Sequence, residues 1–477
     1  MKMVKSLLLG SAAGLVAVAG AQAADLPVKA KAVEYVKVCS AYGAGYYYIP
    51  GTDTCLKIGG YARFDTYINA VGTFNPAISN IGAIKFNSPG AGAIAGYPFK
   101  TSDSSDYLTR ARAVFDMDAR TATDYGVLRS YIRFGMNWDS QASAGSPAGS
   151  GLYFERAFIQ FAGFTFGYTQ SFFDTGINYA MTTLYAGSYQ WTTALAYTAQ
   201  FGNGFSATLA LEDAANRTTG IQATSVAFTG AGGAYANYQD GQAAPDIVAN
   251  LRLDQAWGTA MLSGALHQVA ALTPTAVPGT FYLGSTSTDS WGWALGGSVE
   301  FKLPMLSPGD SLYIQANYAD GALSYLGLSG TSQGRATALG TLSVGTFANA
   351  LSGAYYPLAD AIWTGTGFSK ESGWAIQAQY RHFWTPGLRS AVFGGYVSVD
   401  VPTNTLNAYS TQMWQVGLNT IWSPVKNLDL GVEVLYSKVD GDAPLTYTGG
   451  SASSVPTTIY GGSADVWSGG IRAQRNF

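Results

Sequence analysis

From Cys55 onward the sequence falls into stretches of about ten residues in which apolar and polar side chains alternate, each bounded by Gly, Pro, Asn or Asp. A period of two sends neighbouring side chains to opposite faces, so each stretch reads as a strand with one apolar and one polar side. Strands are predicted over 56–69, 107–118, 125–138, 152–162, 164–171, 191–201, 205–213, 246–256, 259–269, 289–303, 311–322, 373–383, 389–400, 411–422, 428–439 and 466–477, sixteen in all. The connections sort by length. Seven are tight ("RTATD", "AG", "GNG", "WG", "LPMLSPG", "TPG", "SPVKN") and the eight between them are longer, mostly rich in Gly, Ser, Thr and Ala. A membrane barrel needs this alternation, with short periplasmic turns and longer outer loops; a soluble sandwich has no reason for it. The expected fold is all-β, a 16-stranded antiparallel transmembrane β-barrel over residues 55–477.

Composition removes the competing classes. Charged residues make up only 12% of the chain, about half the usual share for a soluble protein. No apolar run of helix-spanning length lies beyond the N-terminus. That N-terminus has Lys2 and Lys5, then "LLLGSAAGLVAVAG", then "AQA" before Ala24, the order of a signal peptide over residues 1–23. Export takes the 26 basic residues to 24 against 29 acids, a net charge of about −5, with no basic run. Nothing there suits nucleic acid.

Cys39 and Cys55 bracket "SAYGAGYYYIPGTDT" and are the only cysteines. In an oxidising compartment a disulfide is favoured over a metal site, which would need more ligands. It would close an N-terminal segment, 24–54, on the periplasmic side near the channel. His267 and His382 read as ordinary strand residues. No metal, cofactor or catalytic group is expected.

Within the strands, Trp414, Val416, Leu418 and Trp422 share one face opposite Gln415 and Asn419; Leu428, Leu430, Val432, Val434 and Tyr436 oppose Asp429, Glu433 and Ser437. The apolar face suits lipid and the polar face water, and closing the sheet satisfies every backbone group. Trp291, Trp293, Trp384, Trp414, Trp422 and Tyr436 fall near strand ends, where interfacial girdles sit. Sixteen strands enclose an aqueous channel. The third outer loop, "FFDTGINYAMTTLYAGSYQ", is too rich in Tyr and apolar residues for a solvated surface and is expected to fold inward.

Three stretches resemble the general porins of alphaproteobacteria: "VEYVKVCSAYGAGYYYIPGTDTCLKIGGYARFD", "FERAFIQFAGFTFGYTQSFFD" and the terminal "IRAQRNF". The resemblance covers essentially the whole mature chain. It implies an outer-membrane barrel, usually a homotrimer, that passes small hydrophilic solutes by diffusion. A last strand ending in Phe477 looks like the signal read by barrel-assembly machinery. Porins of this type set the inward loop against a ladder of arginines. The matching wall residues here are Arg63, Arg110, Arg112, Arg129, Arg133 and Arg156, all on the lumen face by alternation. The bland alternative is that some of them only pair with Asp65, Asp116, Asp118 or Glu155. The loop supplies a single carboxylate in 172–190, Asp174, so a weakly anion-leaning pore is expected.

Three other readings stay open. Gly330-Thr331-Ser332-Gln333-Gly334 matches a nucleophile elbow but lacks the strand-to-helix context that motif needs. The tyrosines could form a track for sugars in a substrate-specific channel. The long loops at 72–106, 215–244 and 324–371 could serve an adhesin or receptor. Asn216-Arg217-Thr218 matches a glycosylation acceptor by chance.

Overall fold

The computed structural model describes residues 37–68, 70–71, 75–76, 85–86, 107–140, 149–223, 240–276, 283–328, 359–364, 367–402, 410–441, 446–447, 457–460 and 463–477. The chain divides into two units, one ending at Leu56 and one running from Lys57 to Phe477.

In the first unit Cys39 and Cys55 form the expected disulfide. Both cysteines are buried with Tyr46 against Tyr42 and Tyr48. The short strand Tyr47–Tyr48 pairs antiparallel with Leu56 and Cys55. Closing a loop of this length restricts the unfolded chain by about 3 kcal/mol.

Sixteen strands build the closed barrel: β1 (Cys55–Ile68), β2 (Tyr107–Thr123), β3 (Gly126–Asp139), β4 (Gly149–Phe161), β5 (Phe164–Gln170), β6 (Trp191–Gly202), β7 (Phe205–Glu212), β8 (Asp246–Gln255), β9 (Gly258–Ala276), β10 (Leu283–Lys302), β11 (Ser311–Asp320), β12 (Ser372–Thr385), β13 (Leu388–Asp400), β14 (Thr411–Val425), β15 (Leu428–Gly441) and β16 (Ser463–Asn476). Each corresponds to a strand read from the alternation. The main differences are at outer ends, where β9 and β10 stay paired from Gly258↔Phe301 out to Ala276↔Leu283.

Tight turns follow local chemistry. Between β6 and β7, Asn203 and Gly204 both take positive φ, 50° and 74°, the two-residue turn whose twist matches a hairpin. The seam closes where β16 pairs antiparallel with β1, from Tyr61↔Asn476 to Ile68↔Gly469.

The two faces separate as the period of two requires. On β14, Leu418 is 58% exposed while Asn419, its neighbour, is 1% exposed. Apolar side chains face out because hydrocarbon, not water, is the solvent there. Outward aromatics gather into two belts. Trp414, Tyr436 and Trp467 stand in a row with centroids 5.0 and 4.9 Å apart near the long-loop ends. Trp257 with Phe301, and Phe164 with Tyr197, lie near the tight turns.

Candidate functional site

The inward faces of β1–β4 and β16 gather arginines because each lies at an even spacing from the next along its strand. Arg63, Arg110, Arg112, Arg129, Arg133 and Arg156 all point inward, joined by Arg120 and Arg472. Among them stand Asp65, Asp116, Asp118, Asp139 and Glu155.

Pairing is extensive. Asp65, fully buried, is shared by Arg63 at 2.8 Å and Arg472 at 2.7 Å. Arg110 makes a two-pronged contact with Asp139 at 2.5 and 2.6 Å. Asp118 accepts from both Arg120 and Arg129 at 2.8 Å. Arg133 lies 3.2 Å from Glu155 and 3.8 Å from Asp116. Arg112 donates to the neutral Asn137. Arg156 lies over the Trp191 ring, 4.3 Å from its centroid. Among the described residues, arginines still outnumber carboxylates on this arc, eight to five. A β-bulge explains how Glu155 and Arg156 both serve it. Arg133 pairs with Arg156 and Phe134 with Phe154, so Glu155 is the extra residue, and its carboxylate turns onto Arg133.

The segment from Ser171 to Gln190 hydrogen-bonds to inward-facing side chains of successive strands. Asn250 of β8 donates to Phe172 O at 2.6 Å, and Ser263 of β9 to Phe173 O at 2.9 Å. Gln379 of β12 accepts from Tyr179 N–H at 2.7 Å, Gln415 of β14 from Tyr185 N–H at 2.7 Å, and Glu433 of β15 from Met181 and Thr182 N–H. Tyr179 donates its hydroxyl to Glu300; burial first, and then this bond, push that hydroxyl up. These wall residues are polar and buried, so the segment's backbone groups are satisfied away from water. Its apolar side chains find cover too. Phe173 packs with Tyr325 and Leu323, and Met181 and Leu184 pack with Tyr67 of β1, Leu108 of β2 and Leu435 of β15. Wall glycines permit this approach. A Cβ at Gly395 would stand 2.5 Å from that of Ala186, and one at Gly296 2.8 Å from the Phe173 ring.

Asp174 departs from expectation. Its side chain is fully buried, accepts from Gln190 N–H and lies 3.7 Å from the equally buried Arg217. It therefore does not present its charge to the arginine arc. The alternation rule could not place it, because a loop residue has no period. Arg217 itself was visible in the sequence only as the middle of a chance glycosylation match. Asn216 of that match donates to Trp191 O.

At the other candidate positions, the Phe477 ring meets Phe115 edge-on at 6.2 Å and its N–H donates to Gly60 O. Residues 1–23 and the Gly330–Gly334 stretch lie outside the described residues, as do parts of the three long loops. Among the described residues, no group of three or more His, Cys, Asp or Glu is arranged to hold a metal ion.

Comparison with known proteins agrees with this geometry. A family described as "Porin subfamily" matches residues 25–469. Porin Omp2b of Brucella canis is 35% identical over 268 residues, 54% of this chain and 64% of that protein. Porin Omp2b of Brucella melitensis is 34% identical over the same extent. The match thus spans under two thirds of these relatives' length. Among solved structures, the outer membrane channel DcaP of Acinetobacter baumannii superposes with a TM-score of 0.58 at 16% identity, covering 90% of this chain and 99% of that one. That likeness concerns the fold.

Proposed function

The chain belongs to the porin subfamily, and on that premise we propose that it is a general diffusion pore of the outer membrane, passing small hydrophilic solutes and ions without catalysis. The observation that carries this reading is the polar interior of a closed sixteen-stranded barrel, crossed by one segment hydrogen-bonded along its wall and lined on another arc by arginines. Nothing has to be transformed for a solute to cross such a channel. It needs a wetted path wider than itself.

The arginine arc supplies the sign of selectivity. Its residual positive charge meets a crossing segment whose carboxylate is already neutralised, which favours small anions weakly. Residues Arg63, Arg110, Arg112, Arg129, Arg133 and Arg156 are the proposed constriction wall. The segment with the disulfide is proposed to stay on the periplasmic side.

A homotrimer is the proposed assembly. The outer faces of β1, β2, β3 and β16 carry Ala62, Ala111, Ala113 and Ala473 among Phe64, Met136 and Trp138, forming a shallow groove of about 550 Å³. Small side chains there let a second copy come close.

Planar-bilayer conductance with graded neutral solutes tests the reading. Ohmic conductance and permeation that falls smoothly with solute size are expected. Saturable block by one sugar would replace the general pore with a substrate-specific channel, and absence of conductance would remove the pore.

A further inference from the structure

The crossing segment begins and ends at one place. Ser171 N–H donates to Gln190 O, and Asp174 accepts from Gln190 N–H. Onto this junction docks the short 3-10 turn Ala214–Asn216 that follows β7. Gln190 donates its side-chain N–H to Asn216 O at 3.0 Å, and Asn216 donates to Trp191 O at 2.9 Å. Arg217, the residue that ends the turn, is 0% exposed. Its guanidinium donates to Ser188 Oγ at 2.7 Å, faces Asp174 at 3.7 Å and lies over Tyr325, 4.1 Å from the ring centroid. Tyr325 in turn donates to Asp246 of β8 at 2.6 Å.

Asp174 and Glu212 are both shut away from solvent beside this cation. Glu212 is spent on the segment's first residues, accepting from Ser171 Oγ and Phe172 N–H, each at 2.7 Å. A buried carboxylate that loses its counter-charge is strongly destabilising where it stands, so it moves towards water or admits water to itself.

We propose that Arg217 is the positioning residue of the pore, a cation that latches the root of the crossing segment and thereby sets the width and charge of the constriction. This rests on the pore reading for its consequence, but the latch itself is a statement about the segment. Without Arg217, Asp174 leaves the dry junction and faces the lumen. The opening widens and gains a negative charge. Deleting a cation moves the ion preference towards cations even where nothing else moves, so the latch is identified by faster opening of the segment and a wider pore together with that shift.

Two readouts test this on the full, membrane-assembled protein. The first is nicking by a protease that cuts after aromatic residues, at Phe172, Phe173, Tyr179 or Tyr185. Arg217→Met should be cut at least about tenfold faster than wild type, since an orphaned buried charge makes local opening that much more frequent. The double variant Arg217→Met, Asp174→Asn should return most of the way, because the orphaned charge is gone. The second readout is the bilayer. Arg217→Met should conduct more and shift its reversal potential towards cations, while Arg217→Lys, which keeps the charge but not the guanidinium over Tyr325, should fall between. If Arg217→Met does not assemble, Arg217→Lys is read by the same two measurements. Wild-type nicking in Arg217→Met overturns the latch, whatever its reversal potential. A wild type that is silent in bilayers, with the nicking difference intact, overturns the pore reading and leaves the latch standing.

Discussion

Arg472 donates Nε–H to Asp65 at 2.7 Å, although the two residues lie 407 positions apart in the chain. The contact crosses the seam between β16 and β1, and Arg63 approaches the same carboxylate from the other side. One fully buried acid thus holds two guanidinium groups where the barrel closes. Asp65→Asn should cost about 3–5 kcal/mol, the penalty for leaving buried charge without its partner. Heat-modifiability of the purified barrel on gels reads this as a lowered unfolding temperature. An unchanged midpoint would show that the seam is held by its backbone ladder alone.

Selectivity should respond to Arg129 and Arg133 as to the loss of two positive charges from the lumen wall. Arg129 partly neutralises Asp118, and Arg133 partly neutralises Asp116 and Glu155. Replacing both with Ala makes the wall more negative by two charges, which the carboxylates they had neutralised then present to the lumen. The reversal potential in a salt gradient should move towards cations, and the difference should shrink as salt rises and the screening length falls below about 8 Å. A double variant with the wild-type potential would place these arginines away from the constriction.

The strands and the facing of the arginines were legible because both follow a period of two, which survives any uncertainty about ends. Leu418 and Asn419 separate lipid from lumen by that rule alone. The rule is blind to an inserted residue, however, so alternation could not show Glu155 turning inward with Arg156 at the bulge. It is equally blind within loops. The aromatic content of 172–190 signalled that the segment needs cover, yet Asp174 reaching Arg217 depends on where two loops meet in space. Glycines inside strand patterns, such as Gly296 and Gly395, were the available signal that something packs closely against the wall.

Phe477 has a small structural role in the folded barrel. The residue is 59% exposed; its ring meets Phe115 from the edge, while one backbone bond ties it to β1. Deleting it should therefore change the stability of in vitro refolded barrel by no more than about 1–2 kcal/mol. Delivery to the outer membrane should fall much further if assembly machinery reads this residue. Equal loss in cells and in refolding would make Phe477 a packing residue only.

Acid should weaken the turn between β10 and β11 through Asp310. This buried carboxylate accepts from Phe383 N–H at 2.8 Å, from the Tyr380 hydroxyl at 2.9 Å and from His382 Nδ1 at 2.7 Å. Burial by itself would raise its pKa, but the hydrogen bonds from His382, the Phe383 N–H and Tyr380 outweigh that and hold the carboxyl below its ordinary range. A depressed folded-state value means that the unfolded chain takes up the proton first. The stabilisation is complete above the ordinary carboxylate value, near pH 4, and is lost as pH falls through the lower folded value. Asp310→Asn removes the charge at every pH, so at pH 7 it should cost about 1.5–3 kcal/mol, the range for hydrogen bonds to an ionised group. Denaturant unfolding in micelles, followed by tryptophan fluorescence, should show that gap at pH 7 and show it narrowing below pH 4. A gap of the same size at pH 7 and at pH 3 would mean that the charge on Asp310 contributes nothing and that the shape of the turn accounts for the whole effect.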